Sequence, residues 1–365
     1  MRVWDGLSSR GRVSFDSRPS DGPIAYMTEN QNITRGLLAA LEQQAPVTVF
    51  DKTSVEDIQL GPPPDSSLSS LNLSSYPHVM LSSKQRIGAR LLVGADGING
   101  PVRTFAGIPT RGYDYDRHGV VATLKLDMPQ DEEVETKAYQ RFLPDGPIAL
   151  LALPDGFATL VWTTTPQKAA HLKTLSSENF IASVNAASRL PIVDIEYMST
   201  QPDGQTSELE WRSSINPANE LERTGAVPRT IHSVQEGSIA SFSIRLRQAT
   251  TYTADRIALI GDAAHTIHPL AGQGLNMGLA DSQALASAII EAVEHGADVG
   301  NELTCLNKYN GEAWMRNNRM LGVVDKLHWL YSMRNPAVVA ARGLGLGMVE
   351  QFGGLKNWFM RQAGG

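Results

Sequence analysis

Short apolar runs bounded by glycine and aspartate alternate in this chain with stretches whose apolar residues recur at helical spacing. Residues 28–44, TENQNITRGLLAALEQQ, put Leu37, Leu38 and Leu41 on one stripe and stop before Pro46, which predicts a helix. VTVF at 47–50 predicts a short strand. GPPPDSSLSSLNLSSYP, 61–77, has no usable period and reads as a mobile surface loop. ARLLVGADG, 89–97, predicts a strand, and GVVATLKLDM, 119–128, alternates well enough for another. YQRFLPDGPIALLALPDGFATLVWTT, 139–164, predicts three strands, the last two joined by a tight turn at Pro154, Asp155 and Gly156. Successive strands without helices between them imply an antiparallel sheet.

QKAAHLKTLSSENFIASVNAAS, 167–188, predicts a helix, and the polar stretch 200–238 a long excursion. DRIALIGDAAH, 255–265, is again a strand that ends in an aspartate. The following helix carries Leu275, Leu279, Ser282, Leu285, Ile289 and Val293 on one stripe and stops at Gly296. The last sixty residues read as mostly helical. Their apolar segment around Trp358 suits either a helix packed on the body or contact with a membrane surface.

A chain of 365 residues suggests about two domains, and 42% hydrophobic residues with 32 glycines supply ample core. The net charge of -6 and the scattered Lys and Arg argue against a nucleic-acid partner. Cys305 is the only cysteine, which rules out an intrachain disulfide and a CxxC site. No apolar run is long enough to span a bilayer, and the opening residues lack the apolar middle of a signal peptide.

LLVGADG and ALIGDAA share one design: a continuous apolar run, as in a strand buried on both faces, then a glycine and an aspartate, Asp96 or Asp262. In open α/β sheets ligands bind beyond the carboxyl ends of strands, where two carboxylates can accept from sugar hydroxyls. Either aspartate alone suits a turn cap equally well. Gly272, Gln273 and Gly274 precede the helix that begins near Leu275. Glycine lets backbone N–H groups approach a ligand, and a helix start adds partial positive charge. Such a place suits a phosphate or a ring that becomes anionic, such as a reduced flavin. A metal held by Asp262, His265 and His268 is a further reading, but Pro269 disfavours helix at His268.

LLVGADGINGPVR (91–103) and IALIGDAAHTIHPLAGQGLNMGLADSQALA (257–286) resemble two cofactor motifs of the FAD-dependent aromatic hydroxylases, the enzymes with the para-hydroxybenzoate hydroxylase fold. VWDG near the start and QRFLPDGPIALLALPDG (140–156) resemble the ubiquinone (coenzyme Q) biosynthesis branch of mitochondrial type. The resemblance implies an α/β chain. It places a Rossmann-like FAD-binding domain with a parallel sheet at 1–110 and 251–300. An α+β substrate domain with an antiparallel sheet occupies 111–250, and C-terminal helices 301–365.

FAD is the implied cofactor. Asp96 and Gly97 would lie near its pyrophosphate. Asp262, after Gly261, would hold ribityl or ribose hydroxyls, and Pro269, Gly272, Gln273, Gly274, Leu275 and Asn276 would wrap the isoalloxazine. No side chain is assigned as catalytic, because a flavin hydroperoxide would carry the chemistry. Arg141 could face the substrate, or be a solvated strand residue. The implied reaction is hydroxylation of a polyprenylated hydroxybenzoate-type ring with O2. The electron donor would be a ferredoxin or NADPH. Other ubiquinone-biosynthesis proteins and the matrix face of the mitochondrial inner membrane are the implied partners of a peripheral protein.

The chain departs from this family in two places. The opening βαβ unit with GxGxxG is missing: GLGLGM at 343–348 has the wrong intervals, and GQGLNMG fails at Met277. The expectation is therefore a chain that lacks the family's first segment and holds FAD weakly or not at all alone. Apolar strand edges at 47–50, 89–93 and 256–260 would then lack neighbours. A non-catalytic scaffold subunit is the alternative. The second departure is Gly100-Pro101, where the family usually carries serine first; proline is tolerated at a first helical turn.

Overall fold

A computed structural model of the chain describes residues 1–8, 10–16, 23–44, 47–61, 73–127, 137–215, 222, 224–352, 354 and 356. Most of the 61–77 loop, and Trp358, lie outside these. In chain order come strands β1 (Arg2–Asp5) and β2 (Arg12–Ser14), helix α1 (Asn30–Glu42), and strands β3 (Val55–Leu60), β4 (Pro77–Leu81), β5 (Arg86–Gly88) and β6 (Leu92–Gly94). Helix α2 (Pro101–Phe105) leads to β7 (Thr110–Leu126), β8 (Tyr139–Leu143), β9 (Gly146–Ala152) and β10 (Phe157–Thr164). Helices α3 (Pro166–Thr174), α4 (Ser177–Arg189), α5 (Ile192–Met198) and α6 (Gln205–Ile215) follow. Then come β11 (Ile231–Val234), β12 (Ala240–Ala249), β13 (Thr253–Ala254), β14 (Ile257–Leu259) and β15 (His265–Thr266). Helices α7 (Gln273–Glu294), α8 (Asn307–Ser332) and α9 (Pro336–Gln351) close the chain. Two compact units result: Met1–Gln43, Asp116–Ile244 and Lys326–Gly365 form the first, Gln44–Tyr115 and Arg245–Asp325 the second.

In the first unit, β7 from His118 onward pairs with β10, β10 with β9 and β9 with β8, all antiparallel. β1 runs parallel to β8 and antiparallel to β2. The three strands expected over 139–164 form, and Asp155 takes φ 59 in the turn between the last two. Alternate strand residues, among them Val120, Leu124, Ile148, Leu160 and Trp162, form one core with Phe180, Val184 and Ala187 of α4. The single helix expected over 167–188 is two. Ser176 is extended and its side chain accepts from the Asn179 N–H, so it caps a new helix. The excursion at 200–238 contains α6 and β11.

Helix α1 forms as its period predicts, yet it buries no residue, and Leu37, Leu38 and Leu41 are 54%, 46% and 39% exposed. Its helicity rests on local propensity alone, which is marginal for thirteen residues. At the other end of the chain, Arg342 of α9 is clamped to Asp5 of β1. Its Nε donates to Asp5 Oδ2 over 2.6 Å, and both side chains are at most 2% exposed. Among the described residues no helix is long and apolar enough to cross a membrane.

The second unit holds two three-stranded sheets, β13-β14-β6 and β3-β4-β5. β14 pairs parallel with β6 and antiparallel with β13. Every residue of β14 is buried, as expected for a central strand, but Val93 of the edge strand β6 is 37% exposed. Burial on both faces therefore holds for β14 and fails for β6. Residues 47–50 form no strand, and Val47, Val49 and Phe50 are exposed. Apolar composition alone cannot hold an extended segment that finds no ladder partner among the described residues.

Arg256, held at φ 58, donates to Asp298 and to the Arg90 carbonyl and lies over the Tyr76 ring. The hydrogen bond from Arg256 pulls the Asp298 carboxyl down from 3.8 to about 2. A carboxyl depressed on folding adds stability above its unfolded value and loses it as pH falls through its folded one. We expect acid unfolding to steepen as pH falls from 3.8 toward 2, and Asp298→Asn to flatten that limb. Circular dichroism across this range checks it.

Candidate functional site

The parallel pairing of β6 with β14 sets Gly94 beside Leu259, and the Ile260 N–H donates to the Gly94 carbonyl over 3.0 Å. The chain leaves β6 through Asp96 and Gly97, and leaves β14 through Gly261 and Asp262. The two Gly–Asp strand ends are thus neighbours at one edge of one sheet, and both aspartates are exposed. Gly97 and Gly261 have φ +80 and +58, conformations that L side chains rarely adopt. Asp96 also performs the capping role: its Oδ2 accepts from the Val102 N–H over 3.0 Å at the start of α2. Gly100 makes room for this, since a Cβ there would lie 1.9 Å from Asp96 Oδ1. The missing side chain at this departure thus lets the carboxylate fold back.

A 3-10 turn at Leu270–Gly272 carries the chain into α7, which begins at Gln273. Gln273 and Gly274 are therefore first-turn residues and do not precede the helix. Gly272 caps α7 at φ +66 and offers no side chain to its first N–H groups. A Cβ at Gly97 or Gly272 would meet no atom of the described residues beyond its chain neighbours within 4 Å, so both glycines face open space there. Leu275 and Asn276 are exposed, whereas Gln273 is turned inward. Pro269 starts the turn, its carbonyl accepting from the Gly272 N–H. The face of α7 that packs inward shares Leu285 alone, among its buried residues, with the expected stripe. It comprises Gln273, Met277, Asp281, Ala284, Leu285, Ala288 and Ala292, while Leu279 and Val293 are 47% and 62% exposed.

Asp281 is the residue that sequence reasoning missed. It is 0% exposed and collects four donors. Its Oδ2 accepts from the Gly261 N–H over 3.1 Å and lies 2.6 Å from His265 Nε2. Its Oδ1 accepts from Arg316 and Asn317, each over 2.8 Å. A charged residue inside a small-residue helix face was the available signal. The Asp262, His265 and His268 metal reading fails on geometry. Asp262 faces solvent, His265 faces Asp281, and His268 is buried edge-on to Tyr115 at 5.3 Å. Among the described residues no cluster could hold a metal.

Behind this loop, the Tyr309 hydroxyl donates to the Leu259 carbonyl over 2.6 Å and so ties α8 to β14. Burial pushes the Tyr309 and Tyr252 phenols up, so both stay protonated. In the first unit, Arg141 does not meet solvent. It is 5% exposed and donates to the Ala187 and Leu190 carbonyls, each over 2.9 Å, at the end of α4. Burial, with Arg12 nearby, lowers it to about 10, which leaves it cationic at neutral pH, where a helix C-terminus welcomes it.

Residues 10–321 match the family model described as an FAD binding domain. The chain is 37% identical, over 98% of its length and 73% of the relative's, to "Ubiquinone biosynthesis monooxygenase COQ6, mitochondrial" of Schizosaccharomyces pombe. It is 38% identical to the Saccharomyces cerevisiae protein of that name, over all of this chain and 76% of the relative. The human protein of that name is 34% identical over 99% of this chain and 74% of its own length. Among solved structures, p-nitrophenol 4-monooxygenase PnpA of Pseudomonas putida superposes with a TM-score of 0.67 at 15% identity, covering 100% of this chain and 80% of that one. PqsL of Pseudomonas aeruginosa, a probable FAD-dependent monooxygenase, gives 0.65 at 20% identity over 94% and 80%. At such identities these two establish the fold alone. Family model, relatives and fold agree: the chain belongs to the FAD-dependent monooxygenases, in the family of the mitochondrial ubiquinone-biosynthesis enzymes.

Proposed function

We propose that the second unit holds FAD across the two Gly–Asp strand ends and the start of α7, and that the protein hydroxylates a polyprenylated hydroxybenzoate-type ring. The adjacency of the two strand ends, with α7 packed against Gly261, is the observation that carries the reading. The residues fit the cofactor: two exposed carboxylates can accept from hydroxyls, and two left-handed glycines face open space where a Cβ would stand. The uncapped N–H groups of α7 suit a ring that gains negative charge. Bound FAD would supply O2 activation and transfer of one oxygen atom, with electrons from a ferredoxin or NADPH. The chain's own residues bind and orient. Asp262 accepts from ribityl or ribose hydroxyls, Asp96 and Gly97 lie near the pyrophosphate, and Pro269, Gly272, Gly274, Leu275 and Asn276 wrap the flavin ring, with Gln273 contributing its backbone. The antiparallel sheet over 119–164 is assigned to the aromatic ring.

All relatives above are named as mitochondrial monooxygenases, which favours an enzyme over a scaffold and a mitochondrial location. We assign the matrix face of the inner membrane, because the substrate is apolar and Trp329, Met333, Leu344 and Met348 are exposed. Other ubiquinone-biosynthesis proteins are the expected neighbours there. Equilibrium titration with FAD, followed by flavin absorbance and fluorescence, tests the site. Asp262→Ala removes a charged hydrogen-bond acceptor worth about 1.5–3 kcal/mol, so the Kd rises roughly 10–100-fold with the melting temperature of the apoprotein unchanged. An unaltered Kd removes Asp262 from the site.

A further inference from the structure

Helices α5 and α6 of the first unit turn an apolar face outward. Val193 and Tyr197 stand one turn apart on α5, and Trp211 and Ile215 one turn apart on α6. All four are exposed, from 47% to 77%. One side chain joins the two pairs. The Arg212 guanidinium lies 4.9 Å from the centre of the Tyr197 ring and 5.0 Å from that of Trp211. It is held in turn by its Nε, which donates to Asp194 over 2.9 Å, and by its Nη1, which donates to Glu208. Both rings therefore rest on one anchored cation while they face solvent. Trp, Tyr and Arg are the residues in which binding energy concentrates at interfaces, and rings already ordered lose little entropy on contact.

Charge selects what covers this face. Between Ile192 and Ile215 stand five carboxylates, Asp194, Glu196, Asp203, Glu208 and Glu210, and one cation, Arg212. Arg212 serves both Asp194 and Glu208, and Arg334, between α8 and α9, pairs with Glu196. Asp203 and Glu210 are exposed and form no ion pair among the described residues. The face is thus apolar at its centre and net negative around it. A second copy of the same face would set carboxylate against carboxylate, and anionic lipid headgroups would be repelled. A cationic polypeptide gains on both terms, since its apolar side chains bury the rings and its charges meet the unpaired carboxylates.

We propose that Val193, Tyr197, Trp211 and Ile215 form a docking surface for a cationic protein segment, which lays apolar side chains on the two rings and sets Lys or Arg against Asp203 and Glu210. Trp211 is the anchor and the carboxylates set the sign of the partner. Nothing in this surface draws on the flavin-binding residues.

Fluorescence anisotropy of a labelled amphipathic helical peptide of leucine and lysine, titrated with the purified protein, tests the proposal. Saturable binding is expected, with the matching leucine–glutamate peptide at least about tenfold weaker. Trp211→Ala weakens the lysine peptide about tenfold or more. Glu210→Lys weakens it about two- to fivefold, as loss of an exposed charge pair does. Leu38→Glu, on the exposed stripe of α1, leaves it unchanged. Absent binding, equal binding of the two peptides, loss in Leu38→Glu, or unaltered binding by either folded variant, Trp211→Ala or Glu210→Lys, overturns the surface. Should Trp211→Ala fail to fold, Glu210→Lys alone decides. Trp211-dependent binding to phosphatidylcholine–phosphatidylserine vesicles, or Trp211-dependent dimerisation in sedimentation, overturns it in favour of a membrane or a second copy.

Discussion

Arg342→Leu lowers the unfolding free energy of the chain by about 3–5 kcal/mol, the cost of leaving one member of a buried charge pair behind. The residue left is Asp5, 0% exposed, which keeps, among the described residues, the Leu7 N–H, 2.9 Å away, as a donor. Arg342 does more than neutralise it. Its Nη1 donates to the Leu330, Tyr331 and Met333 carbonyls at 2.8, 3.1 and 2.9 Å, so it also closes the last turn of α8. The Tyr331 ring stacks on Phe142 of β8 at 3.8 Å, and burial raises its phenol to about 12. One guanidinium therefore joins β1, α8 and α9. Arg342→Lys keeps the charge but lacks the fork that reaches both carboxylate oxygens and the carbonyls. We expect it to recover less than half of the loss. The double change Asp5→Leu with Arg342→Leu loses less than the sum of the single changes, because no lone charge remains buried. Urea unfolding followed by circular dichroism measures all four proteins. A loss under about 1 kcal/mol for Arg342→Leu, the level of an exposed pair, would show that Asp5 reaches water.

Legibility in the sequence followed the physics of each element. β8, β9 and β10 were readable because alternation and the Pro154–Gly156 turn point the same way. The Gly–Asp strand ends were readable because glycine at positive φ marks a chain that must bend at once. The inward face of α7 was not, because alanines, Gln273, Met277 and Asp281 line most of it and Leu285 is the one leucine of the expected stripe that is buried, while Leu275 and Leu279 are exposed. Period analysis weighs residue size, whereas packing in a tight space selects small residues. The solvated reading of Arg141 failed for a related reason. A basic residue in a strand suggests solvent or ligand, and only the tertiary fold shows carbonyls at a helix end waiting for it. The VTVF strand failed because a strand is a property of two segments and only one is visible in a local window.

Asp281→Ala costs about 3–5 kcal/mol of stability and weakens flavin binding as well. The carboxylate gathers the Gly261 N–H, His265, Arg316 and Asn317. Removal leaves buried donors without an acceptor, each of which costs about 1–3 kcal/mol in isolation. The same four bonds fix the backbone from which Asp262 projects. Gly261 is pinned against α7, held by Asp281 and so close to Gly278 that a Cβ there would come 3.4 Å from the Gly261 Cα. Asp281 is thus a positioning residue: it does not reach the ligand side, being 0% exposed, but sets where the exposed Asp262 stands. Asp281→Asn separates the two effects. Its single oxygen serves two of the four donors, and its amide turns a donor toward the others. We expect a smaller loss of stability, about 1–3 kcal/mol, with FAD Kd raised about tenfold or more. Asp262→Ala, by contrast, raises Kd with no loss of stability. Apoprotein melting and FAD titration on the two variants distinguish a group that holds the loop from one that holds the cofactor. Normal FAD affinity in a destabilised Asp281→Asn protein would confine Asp281 to the core.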